Sequence, residues 1–199
     1  MVLPLNPEWV PSSSYTYAWV AMDNQGHLAK MYNNNSGWLP EVLLSLKDIK
    51  LYLDQLSEYI DGESEEYHNY INKHGNYTID LYSSYIYRNY YKSKIIKEFD
   101  LELKKWNGNH CDAGVGAKMG MFLFEALNEL YEDYPIGYDG ETKMGDYFRF
   151  IVPSIYASIE DIPEDLRKYV VVSDNIDFTK DRLLDNNKIN DYFTRMYSK

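Results

Sequence analysis

The chain has 199 residues, long enough to bury a core without disulfide or metal staples. Lys and Arg number 20 against 31 Asp and Glu, a formal charge of −11, which argues against a general role on nucleic acid or anionic lipid and makes a basic partner the natural complement. With 45% hydrophobic and 16% aromatic residues the chain is no disordered acidic tail.

Tyrosine is the oddity, at 21 residues against 7 Phe. It buries a ring while keeping a hydroxyl wet, which suits strand faces and interfaces alike; A/T-rich codon usage is the plainer explanation. Cys111 is the only cysteine, which excludes an internal disulfide framework and a multi-cysteine zinc site and is consistent with a reducing cytoplasm. The first residues lack Lys and Arg and are broken by Pro4, Pro7 and Pro11, unlike a secretory signal, and no stretch is apolar enough for a membrane helix.

In chain order, two β-rich runs from Ser14 to Tyr32 flank the polar turn Asp23-Asn24-Gln25-Gly26 and predict a hairpin. Asn33 to Gly37 is a loop closed by Pro40. Val42, Leu46, Ile49, Leu53, Leu56 and Ile60 then recur at helical spacing up to Gly62, a helix C-cap. Glu63 to His74 reads as a polar helix ending at Gly75, and Asn76 to Tyr82 as a short strand with Tyr77, Ile79 and Leu81 on one face. Ile95, Phe99, Leu103 and Trp106 favour a helix within 85–106, with a strand as the alternative.

A second main helix is expected over Met119 to Tyr134, where Phe122, Leu123, Ala126, Leu127 and Leu130 keep helical spacing until Pro135. Ile136 to Tyr138, Tyr147 to Val152 and Ile155 to Ile159 read as strands, and a short helix begins near Ile162 and Pro163. The tail from Asp174 shows no clean period. No repeat or linker divides the chain, so residues 1–199 form one α+β domain: a mainly antiparallel sheet, made of the N-terminal hairpin and C-terminal strands, packed on two main helices.

Catalytic motifs are absent. His27, His68, His74 and His110 form no zinc signature, so neither metal nor cofactor is expected. His110-Cys111-Asp112 places base, thiol and acid side by side, but adjacent side chains do not point at one another, and no catalytic residue is assigned. Gly114-Val115-Gly116-Ala117-Lys118 precedes a helix without the spacing of a dinucleotide fingerprint or a P-loop, so it reads as a flexible lead into that helix.

The acids cluster. Glu58, Asp61, Glu63, Glu65 and Glu66 are followed by Glu125, Glu129, Glu132, Asp133, Asp139 and Glu141, with no Lys or Arg inside either run. Either these are solvated faces, or they dock a basic protein whose contact area comes from Tyr67, Tyr70, Tyr134 and Tyr138 beside them. By contrast, Arg88, Lys92, Lys94, Lys97, Lys104 and Lys105 outnumber the acids between 84 and 105, so the charge is polarised along the chain.

Two segments carry a resemblance. The first is Tyr17-Ala18-Trp19-Val20-Ala21-Met22-Asp23-Asn24-Gln25-Gly26-His27-Leu28-Ala29 with Gly37 and Pro40. The second is Tyr147-Phe148-Arg149, Pro153, the run Ile159 to Leu166 and Ile176-Asp177-Phe178. Together, over about a third of the chain, they resemble immunity proteins of bacterial polymorphic toxin systems, including contact-dependent and type VI secretion loci. The resemblance implies a cytoplasmic, non-enzymatic protein that neutralises one cognate toxin domain, and it names no active site. The alternatives at this point are a small enzyme, or an adaptor that self-associates through its tyrosines.

Overall fold

The computed structural model describes residues 5–12, 15–68, 70, 73–80, 97, 101, 113–128 and 143–198. Apart from Lys97 and Leu101, which are helical, the expected helix within 85–106 lies outside the described residues, as do the strand at 136–138, His110 and Cys111, and Glu129, Glu132, Asp133, Tyr134, Tyr138, Asp139 and Glu141 of the second acidic run.

The predicted hairpin forms. β1 (Ala18–Met22) and β2 (Leu28–Tyr32) pair antiparallel in the register Ala18 opposite Tyr32 to Met22 opposite Leu28. The Asp23 carboxylate accepts the Gln25 and His27 N–H groups at 2.9 and 2.8 Å, closing the turn.

Around the hairpin the sheet is mixed rather than plainly antiparallel. β2 runs parallel to β4 (Phe122–Ala126), and β1 runs parallel to β6 (Val171–Val172). The remaining pairs are antiparallel: β5 (Tyr147–Pro153) with β4, with β3 (Tyr77–Ile79) and with β7 (Leu183–Leu184), and β6 with β8 (Arg195–Met196). The order is β3-β5-β4-β2-β1-β6-β8, with β7 beside β5. Parallel neighbours need a long crossover, and here the chain between β2 and β4 supplies the helices.

Those helices correct the sequence reading. The single helix expected from Val42 to Ile60 is two, α1 (Glu41–Leu44) and α2 (Ile49–Asp61), because the backbone turns left-handed at Asp48 with φ 57°. Leu43, Leu44, Ile49, Leu53, Leu56 and Ile60 are all buried, so the apolar spacing persists across the break. Gly62 caps α2 at φ 75° as expected, and the described residues from Glu63 to His74 form turns rather than a helix.

The second main helix is not where periodicity placed it. Phe122 to Ala126 is the central strand β4, flanked by β2 and β5 and covered on both faces. Such a strand is apolar nearly throughout, so its spacing mimics a buried helix. The helix lies earlier: α3 (Ala113–Met119) contains the glycines read as a flexible lead. A Cβ at Gly116 would stand 2.7 Å from Ile60 Cγ2 of α2, and one at Gly114 would stand 2.6 Å from the Tyr77 hydroxyl of β3. These glycines serve close packing, not phosphate.

β5 runs as predicted, while the expected strand Ile155 to Ile159 and the helix near Ile162 resolve into short 3-10 turns at Ile159–Asp161 and Arg167–Tyr169. The tail forms β7, a 3-10 turn, α4 (Ile189–Tyr192) and β8. The larger core cluster gathers Trp19, Met31, Phe124, Phe178 and Phe193, so the tail closes over the sheet.

Candidate functional site

The first acidic run folds into a groove. After α2 ends, the N–H groups of Glu63 and Ser64 both return to the Glu58 carbonyl, at 2.8 and 3.1 Å. This reversal sets Glu63, Glu65 and Glu66 beside Gln55 and Glu58, around an open cavity of about 480 Å³ that Ser64 and Tyr67 complete. The four glutamates are exposed, and none of the described lining residues is basic. The carbonyl end of α2 adds partial negative charge in the same place.

Tyrosine packing braces the groove at Tyr67. Tyr67 and Tyr70 stand edge-on to buried Tyr59, with ring centroids 5.9 and 5.7 Å away. The Tyr59 hydroxyl donates to the Asp161 carbonyl at 2.6 Å, that of Tyr67 to Asp165 Oδ2 at 2.5 Å and that of Tyr70 to the Ile162 carbonyl at 3.2 Å. Burial pushes the Tyr59 hydroxyl up from its ordinary value; burial, then the Asp165 hydrogen bond, does the same for Tyr67, so both remain donors.

Of the expected docking residues, the structure brings Glu58, Glu63, Glu65, Glu66 and Tyr67 together. Asp61 points elsewhere and pairs with Lys30, and Tyr70 is engaged with the 3-10 segment. Glu125 is half-buried rather than fully exposed: it lies on central β4, where burial raises its carboxyl to about 7 against the pull of the Asn34 amide.

Sequence spacing missed the cluster of Asp23, His27 and Asp177, whose ligand-type atoms lie within 4.8 Å of one another. Its carboxylates are already engaged. Asp23 Oδ1 accepts from Gln25 and His27 backbone N–H, and Oδ2 accepts from Phe178 N–H at 2.9 Å and faces His27 Nδ1 at 3.1 Å. Asp177 accepts from Thr179 and pairs with Lys180 at 2.6 Å, which, with the Thr179 hydroxyl, holds its carboxyl at about 2. A cation would have to displace these donors, so the arrangement works as a clasp between the hairpin turn and the 176–178 segment. Asp80 is likewise internal, gripped by Arg149 and Arg182.

No described helix is long and apolar enough to cross a membrane. No family model matches the chain, and neither a curated protein nor a solved structure matches it.

Proposed function

We propose that the chain is a non-enzymatic binding protein of the immunity type, which neutralises a basic toxin domain through the groove at the end of α2. The observation that carries this reading is the groove itself: four exposed glutamates, no cation among its described lining residues, and a wall at Tyr67 that packs on buried Tyr59. A cluster of like charge steers an oppositely charged partner and is itself destabilising to the free protein, so a stiff surface that keeps it assembled favours binding over idle solvation. Bracing at Tyr67 also lowers the ordering cost of association.

The test expresses the chain with the products of its neighbouring genes, among which a toxin-like domain is expected. The wild-type protein is expected to protect cells expressing that domain, and Glu63→Lys, Glu65→Lys and Glu66→Lys together slow association about tenfold or more and flatten its dependence on salt. An unchanged association rate removes the groove from the mechanism.

A further inference from the structure

A second concavity, of about 260 Å³, lies across the molecule's N-terminal segment, α1 and α4, and differs in chemistry from the glutamate groove. Trp38 forms one wall with 37% of its surface exposed, one of the large hydrophobic side chains left open to solvent. Its backbone is held on both sides: its N–H donates to Asn186 Oδ1 at 2.8 Å, and its carbonyl accepts from the Tyr147 hydroxyl at 3.0 Å. Trp9, itself buried, meets the Trp38 ring nearly perpendicular, at 88° and 6.3 Å between centroids. Three independent contacts therefore fix a tryptophan that still presents surface to the pocket, the form taken by an anchor residue at an interface.

Glu41 supplies the only charge in the lining among the described residues. Its backbone N–H is taken by Asn190 Oδ1 at 2.9 Å, while its exposed carboxylate has no hydrogen-bond or ion-pair partner among the described residues. Of the pocket's amides, Asn186 is spent on Trp38 and Ser36 and the Asn190 oxygen on Glu41, which leaves the Asn187 side chain and the Asn190 amino group. Beside them the lining offers an indole surface and an anion, and the anion is what favours a cation over a neutral saccharide. The volume is below that usual for drug-sized ligands and suits one side chain.

We propose that Trp38 and Glu41 form a receptor for a cationic side chain, arginine before lysine, projected by a basic protein partner. Both groups line the same pocket, and a planar guanidinium is suited both to stacking on an indole and to a forked contact with a carboxylate, whereas an ammonium is suited to only one of these. The net charge of −11 draws such a partner to the surface. The inference rests on the proposed function for the partner's basic character, whereas the pocket's chemistry is testable without that partner.

The experiment titrates N-acetyl-arginine methylamide into the full chain and follows the tryptophan indole N–H resonances, that of Trp38 being assigned with Trp38→Phe. The neutral isostere N-acetyl-citrulline methylamide and the trisaccharide maltotriose serve as comparison probes. The arginine probe is expected to shift the Trp38 resonance saturably. Binding should be about fivefold weaker for citrulline, and about fivefold weaker in Glu41→Gln, whose unfolding midpoint stays at the wild-type value. Equal response to arginine and citrulline, a stronger response to maltotriose, or no response at Trp38 overturns the proposal. The comparison of probes on the wild-type protein stands even if Glu41→Gln alters stability. Lysine substitutions at Glu63, Glu65 and Glu66 leave this titration intact, so failure of the groove and failure of the pocket are read separately.

Discussion

Lys30, on β2 and 2% exposed, donates to both oxygens of Asp61 in the last turn of α2, at 2.7 and 2.6 Å. This pair ties the helix that carries the acidic groove to the hairpin. It also explains why Asp61, five residues from Glu66 and of the same sign, does not belong to the groove: a buried ammonium holds it inward. The Lys30 ammonium lies 4.9 Å from the Tyr32 ring centroid as well, so its burial is supported from two sides.

Replacing Asp61 with Asn keeps the shape and removes the charge. The Lys30 ammonium then loses its carboxylate in a site with little water, and unfolding in urea is expected to show a loss of about 3 kcal/mol. Changing both residues to apolar ones of similar size, Lys30→Met with Asp61→Leu, should recover most of that loss. A double variant as unstable as Asp61→Asn would mean the pair's geometry, not its charge balance, holds α2 in place.

Gly116 offers a test of helix packing in which intrinsic propensity and contact predict opposite signs. In an exposed helix interior, Gly→Ala stabilises by about 1 kcal/mol. Here the new methyl would meet Ile60 Cγ2 at 2.7 Å, far inside van der Waals contact, and must push α3 from α2. Gly116→Ala is therefore expected to destabilise by about 1–3 kcal/mol, measured as a lower urea midpoint at unchanged slope. A rise in the midpoint would show that the two helices separate at little cost.

The same glycines mark where local pattern stops informing on the fold. The hairpin was legible because strand-forming runs and a polar turn agree over Ala18 to Tyr32, and the end of α2 because Gly62 follows the last apolar position. β4 was not, since a strand buried on both faces loses its period of two and a run such as Phe122-Leu123-Phe124 fits either state. The break at Asp48 leaves the apolar spacing undisturbed, so periodicity passes over it. Of the groove, Glu58 to Tyr67 could be proposed as a charged run, but the half-buried positions of Asp61 and Glu125 depend on partners distant in sequence, Lys30 and the strands beside β4. The Trp38 pocket joins residues 9, 38, 41 and 190, which no linear motif connects.

At acidic pH the Asp80 cluster is the expected weak point. Burial alone would push the Asp80 carboxyl up, but the Arg182 hydrogen bond and the charges of Arg149 and Arg182 outweigh it and hold the carboxyl below its ordinary value. A carboxyl depressed in the folded state contributes stability above its unfolded value, near pH 4, and that contribution is lost as pH falls through the folded value. Asp177, held at about 2, acts in the same direction over the same window. Stability should therefore drop steeply below about pH 4, and Asp80→Asn should be less stable at neutral pH with a shallower acid slope, as thermal melts across pH would show. An acid slope identical to wild type would remove Asp80 from the account.

Glu125 predicts the opposite pH dependence from the same physics. Its carboxyl is raised to about 7 by burial on β4, so the folded state prefers it protonated while the unfolded chain ionises it near pH 4.3. A group raised in this way favours folding fully below its unfolded value, and that advantage fades as pH rises through the folded value. Glu125→Gln keeps the volume and a hydrogen-bonding head without the titration. Relative to wild type, the variant should gain stability progressively from about pH 4.5 and reach a constant advantage above about pH 7, read from melting temperatures at fixed ionic strength. The wild-type and variant curves should run parallel below pH 4, both carrying the acid loss centred on Asp80. A difference between the two proteins that does not change with pH would place the Glu125 carboxylate in contact with water rather than inside the sheet's packing.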